Sequence, residues 1–201
     1  MRVVFLGPPG AGKGTQACIL SKKLGVPQLS TGDIFRDEVV KCTDIGIQIK
    51  DIIDSGRLVS NNVVNQVVYN RIRCSDCVSG FVLDGYPRTI GQAMSLQVSL
   101  AEMKCNIDAV IELVVDDDAM FRRIEDRVTK AVSADKSVRS DDKYDVFLRR
   151  IKDYRTVSIP ITDYYKSNGL LYTVDGMLDV GLVSKHIDSI IASVRKKCCN
   201  G

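Results

Sequence analysis

Gly7-Pro8-Pro9-Gly10-Ala11-Gly12-Lys13-Gly14-Thr15 joins an apolar run to a periodic segment near the start of the chain. Glycines let a backbone turn its N–H groups inward around an anion, a following helix adds its N-terminal dipole, and a lysine placed here reaches phosphate oxygens. Gly7, Gly12 and Lys13 satisfy the spacing G-x-x-x-x-G-K. The next residue is usually Ser or Thr, whose hydroxyl holds a metal; here it is Gly14, and Thr15 brings a hydroxyl one position later. The chemistry these residues suit is the binding of a polyphosphate.

Arginines supply the second half of the pattern. Arg123 and Arg127 stand four apart beside Met120, Ile124 and Val128, so they share a helix face. Like charges at that spacing cost an isolated helix ~0.2–0.5 kcal/mol, which a bound triphosphate reverses. Arg139 and Arg150 are separated by eleven residues, within about 20° of whole helical turns, so Arg150 rather than Arg149 shares a face with Arg139. Arg36 and Arg88 can each fork onto a phosphate. Asp84 closes an apolar run at the end where open α/β sheets bind ligands, and an acid there suits water-mediated binding of Mg2+. Asp141 and Asp142 suit orienting arginines and charging a helix N-terminus. His186 is the single histidine, with no serine or cysteine nucleophile arranged around it. Arginines with a metal can position a bound polyphosphate and neutralise its charge.

To hold these groups the chain needs strands and helices in alternation. Arg2–Leu6, Gly80–Leu83, Ala109–Val115 and Leu170–Val174 are apolar without alternation, as parallel strands covered on both faces require, and Gln28-Leu29-Ser30 adds a short fifth. Helical periodicity predicts helices over 13–24, 33–41, 45–54, 62–73, 91–104, 117–128, 141–166 and 179–197, with Pro160 kinking or ending the seventh. The fold class is α/β, a parallel sheet flanked by helices. Residues 31–73 carry three helices without an intervening strand and read as an inserted lobe. Thr129–Val138, small and polar, reads as a mobile loop between helices, and the arginines flanking it suggest a lid.

Composition bounds the alternatives. The 201 residues, 45% hydrophobic and 26% charged, suit one globular domain and exclude a disordered or disulfide-stapled chain. A net charge of +3 and 6% aromatic residues without tryptophan are too little for a nucleic-acid binder. Arg195-Lys196-Lys197 is too short a basic run to mark a nucleic-acid or membrane surface. No apolar run approaches the ~20 residues of a membrane span. Only five residues lie between Met1 and Gly7, which leaves no room for an export signal, so the expected location is the cytoplasm. The seven cysteines are read as free thiols; Cys74-x-x-Cys77 resembles half of a zinc site but has no second pair.

From Gly7–Thr15 together with Asp84-Gly85-Tyr86-Pro87-Arg88, the chain resembles the nucleoside monophosphate kinases, the adenylate kinases most closely. Ser30-Thr31-Gly32-Asp33 with Arg36, Gly56-Arg57-Leu58-Val59, Gln92 and the arginine-rich segments also stand in family order, over nearly the whole chain. The resemblance implies a phosphate-loop kinase fold, a single domain of residues 1–201. Within it, 31–73 is the monophosphate-binding lobe and 128–139 a short lid, too short for the zinc-bearing lid of some relatives. It implies reversible transfer from ATP to AMP giving two ADP, with Mg2+, by a monomer. It assigns ATP to Gly10, Ala11, Gly12, Lys13, Gly14, Thr15, Arg123, Arg127 and Leu178, with Arg123 stacked on adenine. It assigns AMP to Thr31, Arg36, Arg57, Leu58, Val59, Gly85, Arg88, Gln92, Arg139 and Arg150. Catalysis falls to Lys13, Arg88, Arg123, Arg127, Arg139 and Arg150. Thr31, where similar pyrimidine monophosphate kinases carry Ala, favours AMP over CMP or UMP. Asn61-Asn62 departs from the acids that many relatives carry there. A uridylate/cytidylate kinase and a phosphate-loop switch module are the competing readings; Thr31 with Gln92 argues against the first, and Arg36 with Arg88 against the second.

Overall fold

Five strands form one parallel sheet: β1 (Arg2–Leu6), β2 (Gln28–Ser30), β3 (Phe81–Asp84), β4 (Ala109–Val114) and β5 (Leu171–Asp175), in the order β2-β3-β1-β4-β5. The computed structural model describes residues 1–135, 138 and 140–199. Successive strand residues alternate between two cores, as the period of two demands. Val4, Leu6, Leu83 and Val110 face one side; Val3, Phe5, Val82, Ile111 and Leu113 face the other. The first core is covered by α4 (Asn61–Ile72), α5 (Ile90–Glu102) and α8 (Ile159–Ser167), through residues such as Val68, Leu96 and Ile161. The second is covered by α1 (Lys13–Leu24) and α9 (Val180–Cys199), through Ala17, Leu20, Val183 and Ile187.

The chain leaves β1 for the edge strand β2, returns through β3, and then continues on the other side of β1. That reversal of direction opens a crevice at the carboxyl ends of the central strands, where ligands of such sheets bind. Between β2 and β3 lie α2 (Thr31–Val40), α3 (Asp44–Asp54) and α4, the strand-free stretch expected from the sequence. Ser30 and Thr43 cap α2 and α3 by accepting from Asp33 and Gly46 N–H. Gly46 packs so tightly on α2 that a Cβ there would fall 2.0 Å from the Glu38 carbonyl oxygen.

Two expectations need correction. The helix expected to stop at Val128 runs on as α6 (Asp117–Ser133), so Thr129–Ser133 is helical rather than loop. No glycine or proline interrupts Asp117–Asp135, and the Ser133 hydroxyl bonds back to the Thr129 carbonyl, so nothing ends the helix earlier. The helix expected over 141–166 is broken into a 3-10 turn (Ser140–Asp142), α7 (Tyr144–Asp153), a π turn (Tyr154–Ser158) and α8. Pro160 has no N–H to offer the Thr156 carbonyl, and the widened turn lies immediately before it. A third, smaller core of Met120, Ile124, Phe147 and Ile151 joins α6 to α7, with Phe121 and Phe147 edge to face at 5.4 Å. Among the described residues no helix is long and apolar enough to cross a membrane.

Candidate active site

β1 delivers the glycine-rich loop to the centre of the crevice, and Gly12, left-handed at φ 94°, turns the chain into α1. Only a residue without a side-chain penalty takes that turn readily. Lys13 folds back over the loop, its Nζ donating to the carbonyls of Gly7 and Pro8 at 2.8 Å each. Burial pushes the Lys13 ammonium down from 10.5 to about 8; Asp84 opposes the shift, while Arg88, Arg150 and Arg127 add to it. Asp84 ends β3 beside the loop: a Cβ on Gly14 would stand 3.2 Å from its Oδ2. The glycine at this position therefore keeps open the space in front of that carboxylate.

Arginines from three helices and the loop before α5 converge on the same space. Arg123 on α6 bridges two loops, donating to the Ala11 carbonyl at 3.1 Å and the Gly176 carbonyl at 2.5 Å. Arg127, one turn on, forks onto Asp142 through Nε at 2.8 Å and through Nη2. Arg150 on α7 donates to the Asp141 carbonyl at 3.1 Å and pairs with its carboxylate at 2.9 Å. Arg36 on α2 pairs with Asp33 at 2.5 Å and lies 4.0 Å from Asp141. Arg88, before α5, donates through Nε to the Gly85 carbonyl at 2.7 Å. Burial lowers Arg150 to about 10 and holds Arg88 below the usual arginine range. Asp141 and Asp142, both buried, answer part of this charge. They turn toward arginines and lie in a separate 3-10 turn, which Lys143, in an extended conformation, divides from α7.

On the side of α2 to α4, Thr31 is buried against the strand end, its hydroxyl 3.5 Å from the Asp84 carbonyl. Gly85, with φ 81°, leaves no room for a Cβ, which would meet Thr31 Oγ1 at 2.9 Å and Arg88 Nη2 at 3.2 Å. Leu58 and Val59 present apolar surface, and exposed Arg57 is held by Ser55. Gln92, 2% exposed, accepts from Arg88 N–H at 2.7 Å.

One cleft of about 720 Å³ gathers these groups. Gly10 to Thr15, Thr31, Arg36, Arg57, Leu58, Val59, Asp84, Gly85, Arg88, Gln92, Arg123, Arg127, Arg150 and Leu178 all line it. Arg139 lies outside the described residues. The helical phase relating Arg139 to Arg150 presumed one helix from Asp141, and α7 begins only at Tyr144. Arg150 nevertheless faces the cleft, while Arg149 donates to the Ser55 carbonyl at 2.7 Å. Lys130 and Asp126 also line the cleft. Asp126 stands between Arg123 and Arg127 on α6 and Lys130 follows them, so extending that helix past Val128 would have found Lys130 from the sequence. Gly176, whose carbonyl holds Arg123, carries no sequence signal for that role. Among the described residues no three His, Cys, Asp or Glu side chains are grouped to hold a metal unaided.

Comparison with known proteins matches residues 5–170 to the family model "Adenylate kinase". The chain is similar to the adenylate kinase of Rhizobium meliloti, 50% identical over 192 residues, covering 96% of this chain and 100% of that protein. It is 51% identical to that of Bartonella bacilliformis over 191 residues, 95% of this chain and 100% of the relative. To that of Agrobacterium fabrum it is 49% identical, over 95% of this chain and 97% of the relative.

Proposed function

The chain belongs to the adenylate kinase family, enzymes that transfer a phosphoryl group from ATP to AMP to give two ADP, and from that premise we propose how the cleft divides the work. ATP lies on the loop Gly10–Thr15, with its base between Arg123 and Leu178 and its phosphates on Lys13 and Arg127. AMP lies against Thr31, Gly85, Leu58 and Val59, its base on Gln92 and its phosphate on Arg36 and Arg88, with Arg57 at the rim. Arg139 and Arg150 reach the phosphates between them. The observation that carries this reading is that loop, strand-end and lobe residues, distant in sequence, share one cleft.

An AMP phosphate oxygen, already anionic, attacks the terminal phosphorus of ATP; the new P–O bond forms as the bond to the ADP oxygen breaks. No proton has to be removed, so no base is needed. Charge on the transferred group is met by Lys13, Arg88, Arg127 and Arg150, held in place beforehand rather than recruited from water. Lys13 must leave the Gly7 and Pro8 carbonyls for phosphate oxygens, and Arg127 and Arg150 exchange Asp142 and Asp141 for them. Asp84 lines the cleft, and Gly14 has no Cβ to crowd its carboxylate, so Asp84 would hold Mg2+ there through water. When bound, the ion neutralises and orients the phosphates of ATP. Residues 128–139 form a lid and 31–73 a monophosphate lobe that close together and exclude water. The enzyme acts as a cytoplasmic monomer on ATP, AMP and ADP, with no nucleic-acid or membrane partner.

A coupled assay of ADP formation from ATP with AMP, CMP or UMP tests the reading. Turnover with AMP far above the other two supports it, and equal use of CMP or UMP overturns the assignment of Thr31 and Gln92.

A further inference from the structure

Gln92 has an amide with two chemically opposite ends, and which end meets which edge of a base decides what it recognises. Four hydrogen bonds fix the answer. The Arg88 N–H points at the Gln92 side chain at 2.7 Å, and a backbone N–H can only donate, so the amide oxygen faces it. The NH2 group is thereby turned the other way, where it donates to Asn61 Oδ1 at 2.9 Å. The Gln92 N–H donates to Thr89 Oγ1 at 3.1 Å, which leaves the Thr89 proton for the same Asn61 oxygen, at 3.2 Å. A chain of donors and acceptors anchored on two backbone N–H groups thus ends on one atom of Asn61. Asn61 is the first residue of α4, exposed, and outside the cleft lining; Gln92 is buried and within it.

We propose that Asn61 is a positioning residue that locks the Gln92 amide in the orientation reading a 6-aminopurine and rejecting a 6-oxopurine. With one lone pair of Oε1 given to Arg88 N–H and one hydrogen of Nε2 given to Asn61, the amide keeps one acceptor site and one donor in fixed order. Adenine matches that order, donating from its 6-amino group and accepting at N1. Hypoxanthine presents the reverse, a 6-oxo acceptor beside an N1–H donor. To serve it the amide must flip, which sets its NH2 against the Arg88 N–H and its oxygen against Asn61 Oδ1. Without Asn61 only the first of these conflicts remains. A carboxylate at position 61 would accept both bonds, so Asn61→Asp preserves the lock.

The inference rests on the reading that Gln92 contacts the base of AMP, and the experiment separates the two. kcat/KM is measured with AMP and with IMP for the wild type and for Asn61→Ala, Asn61→Asp and Gln92→Met. In Asn61→Ala the AMP-to-IMP ratio falls about threefold to tenfold, the span of one net hydrogen bond, and Asn61→Asp restores it. An unchanged ratio in Asn61→Ala overturns the proposal, whether both rates fall together, as from a lost packing contact, or neither moves. Should Asn61→Ala melt early, Asn61→Leu gives the same comparison with the side-chain bulk retained. If Gln92→Met keeps the wild-type KM for AMP and the wild-type ratio, the base-contact reading fails, and this proposal with it. If Gln92→Met loses discrimination while Asn61→Ala does not, the proposal alone fails.

Discussion

Binding of ATP between pH 8 and pH 9 draws protons from solution, and Lys13 sets how many. In the ligand-free protein burial leaves this amine at about 8, against its ordinary 10.5. A triphosphate placed on the loop substitutes phosphate oxygens for the Gly7 and Pro8 carbonyls, and the added negative charge returns the amine to its ordinary range or above. Uptake on binding is then ~0.1 proton at pH 7, ~0.5 at pH 8 and ~0.9 at pH 9. The sign follows from linkage: the free protein holds fewer protons than the complex in this window, so ATP affinity falls as pH rises through it. The folded, free protein also holds fewer protons than the unfolded chain between about 8 and 10.5, so its stability rises with pH there. The same shift means that holding Lys13 charged near neutrality costs up to ~3 kcal/mol of fold stability. Calorimetric titration of ATP, without AMP, in two buffers of different ionisation enthalpy gives the proton count directly. Lys13→Met isolates the contribution of the amine. Uptake below ~0.2 proton at pH 9, or equal uptake in Lys13→Met, refutes the argument from burial.

Lys13→Met lowers kcat at least ~10²-fold, the effect of losing a preorganised charge, while its melting temperature does not fall, because the charge it removes is costly to bury; wild-type turnover would remove Lys13 from the mechanism. On the proposal that Thr31 and Gln92 face the base, kcat/KM for AMP exceeds that for CMP and UMP by up to ~10⁴-fold, and a margin under about tenfold would count against a hydrogen-bonded base site. A ligand joining two adenosines through a polyphosphate touches the Arg36 and Arg88 side and the Arg123, Arg127 and Arg150 side at once, so it compacts the protein more than AMP alone; X-ray scattering with equal radii of gyration for the two complexes would sink the closing-lid reading.

Much of the frame was legible because its signals are local. β1 reproduces its expected bounds, since an unbroken apolar run leaves only a strand buried on both faces. α1 does too: Gly12 opens it, and Gly25, left-handed at φ 66°, closes it with backbone bonds to Ser21 and Lys22. The strand-free run of α2, α3 and α4 between β2 and β3 was legible as a gap in the alternation. Failures came where the deciding partner is distant or the stop signal indirect. Thr129–Ser133 looked like a loop by polarity, yet α6 continues because no residue in it breaks a helix. Asp141 and Asp142 were read as charging a helix N-terminus, yet α7 begins only at Tyr144; the other half of that expectation holds, since their carboxylates meet Arg127, Arg150 and Arg36 across the cleft. Asn61 stood out only as an amide where the family resemblance led us to expect an acid, and its bonds reach across 28 and 31 residues to Thr89 and Gln92.

These failures share a cause that bears on how the site works. A phosphate site is readable in sequence because glycine spacing and cationic residues follow from the ligand. The groups that manage those cations while no ligand is bound follow from the fold. Asp142, its side chain 2% exposed, carries Arg127, and Asp141 spans Arg150 on α7 and Arg36 on α2. Breaking one partner of a buried pair leaves an uncompensated charge, so neither aspartate can simply be deleted to free the arginines. A nucleotide therefore gains only the difference between phosphate and carboxylate as a partner for each arginine. That difference is largest for a group bearing several charges at once. The arrangement thus favours occupation by the polyphosphate over small anions.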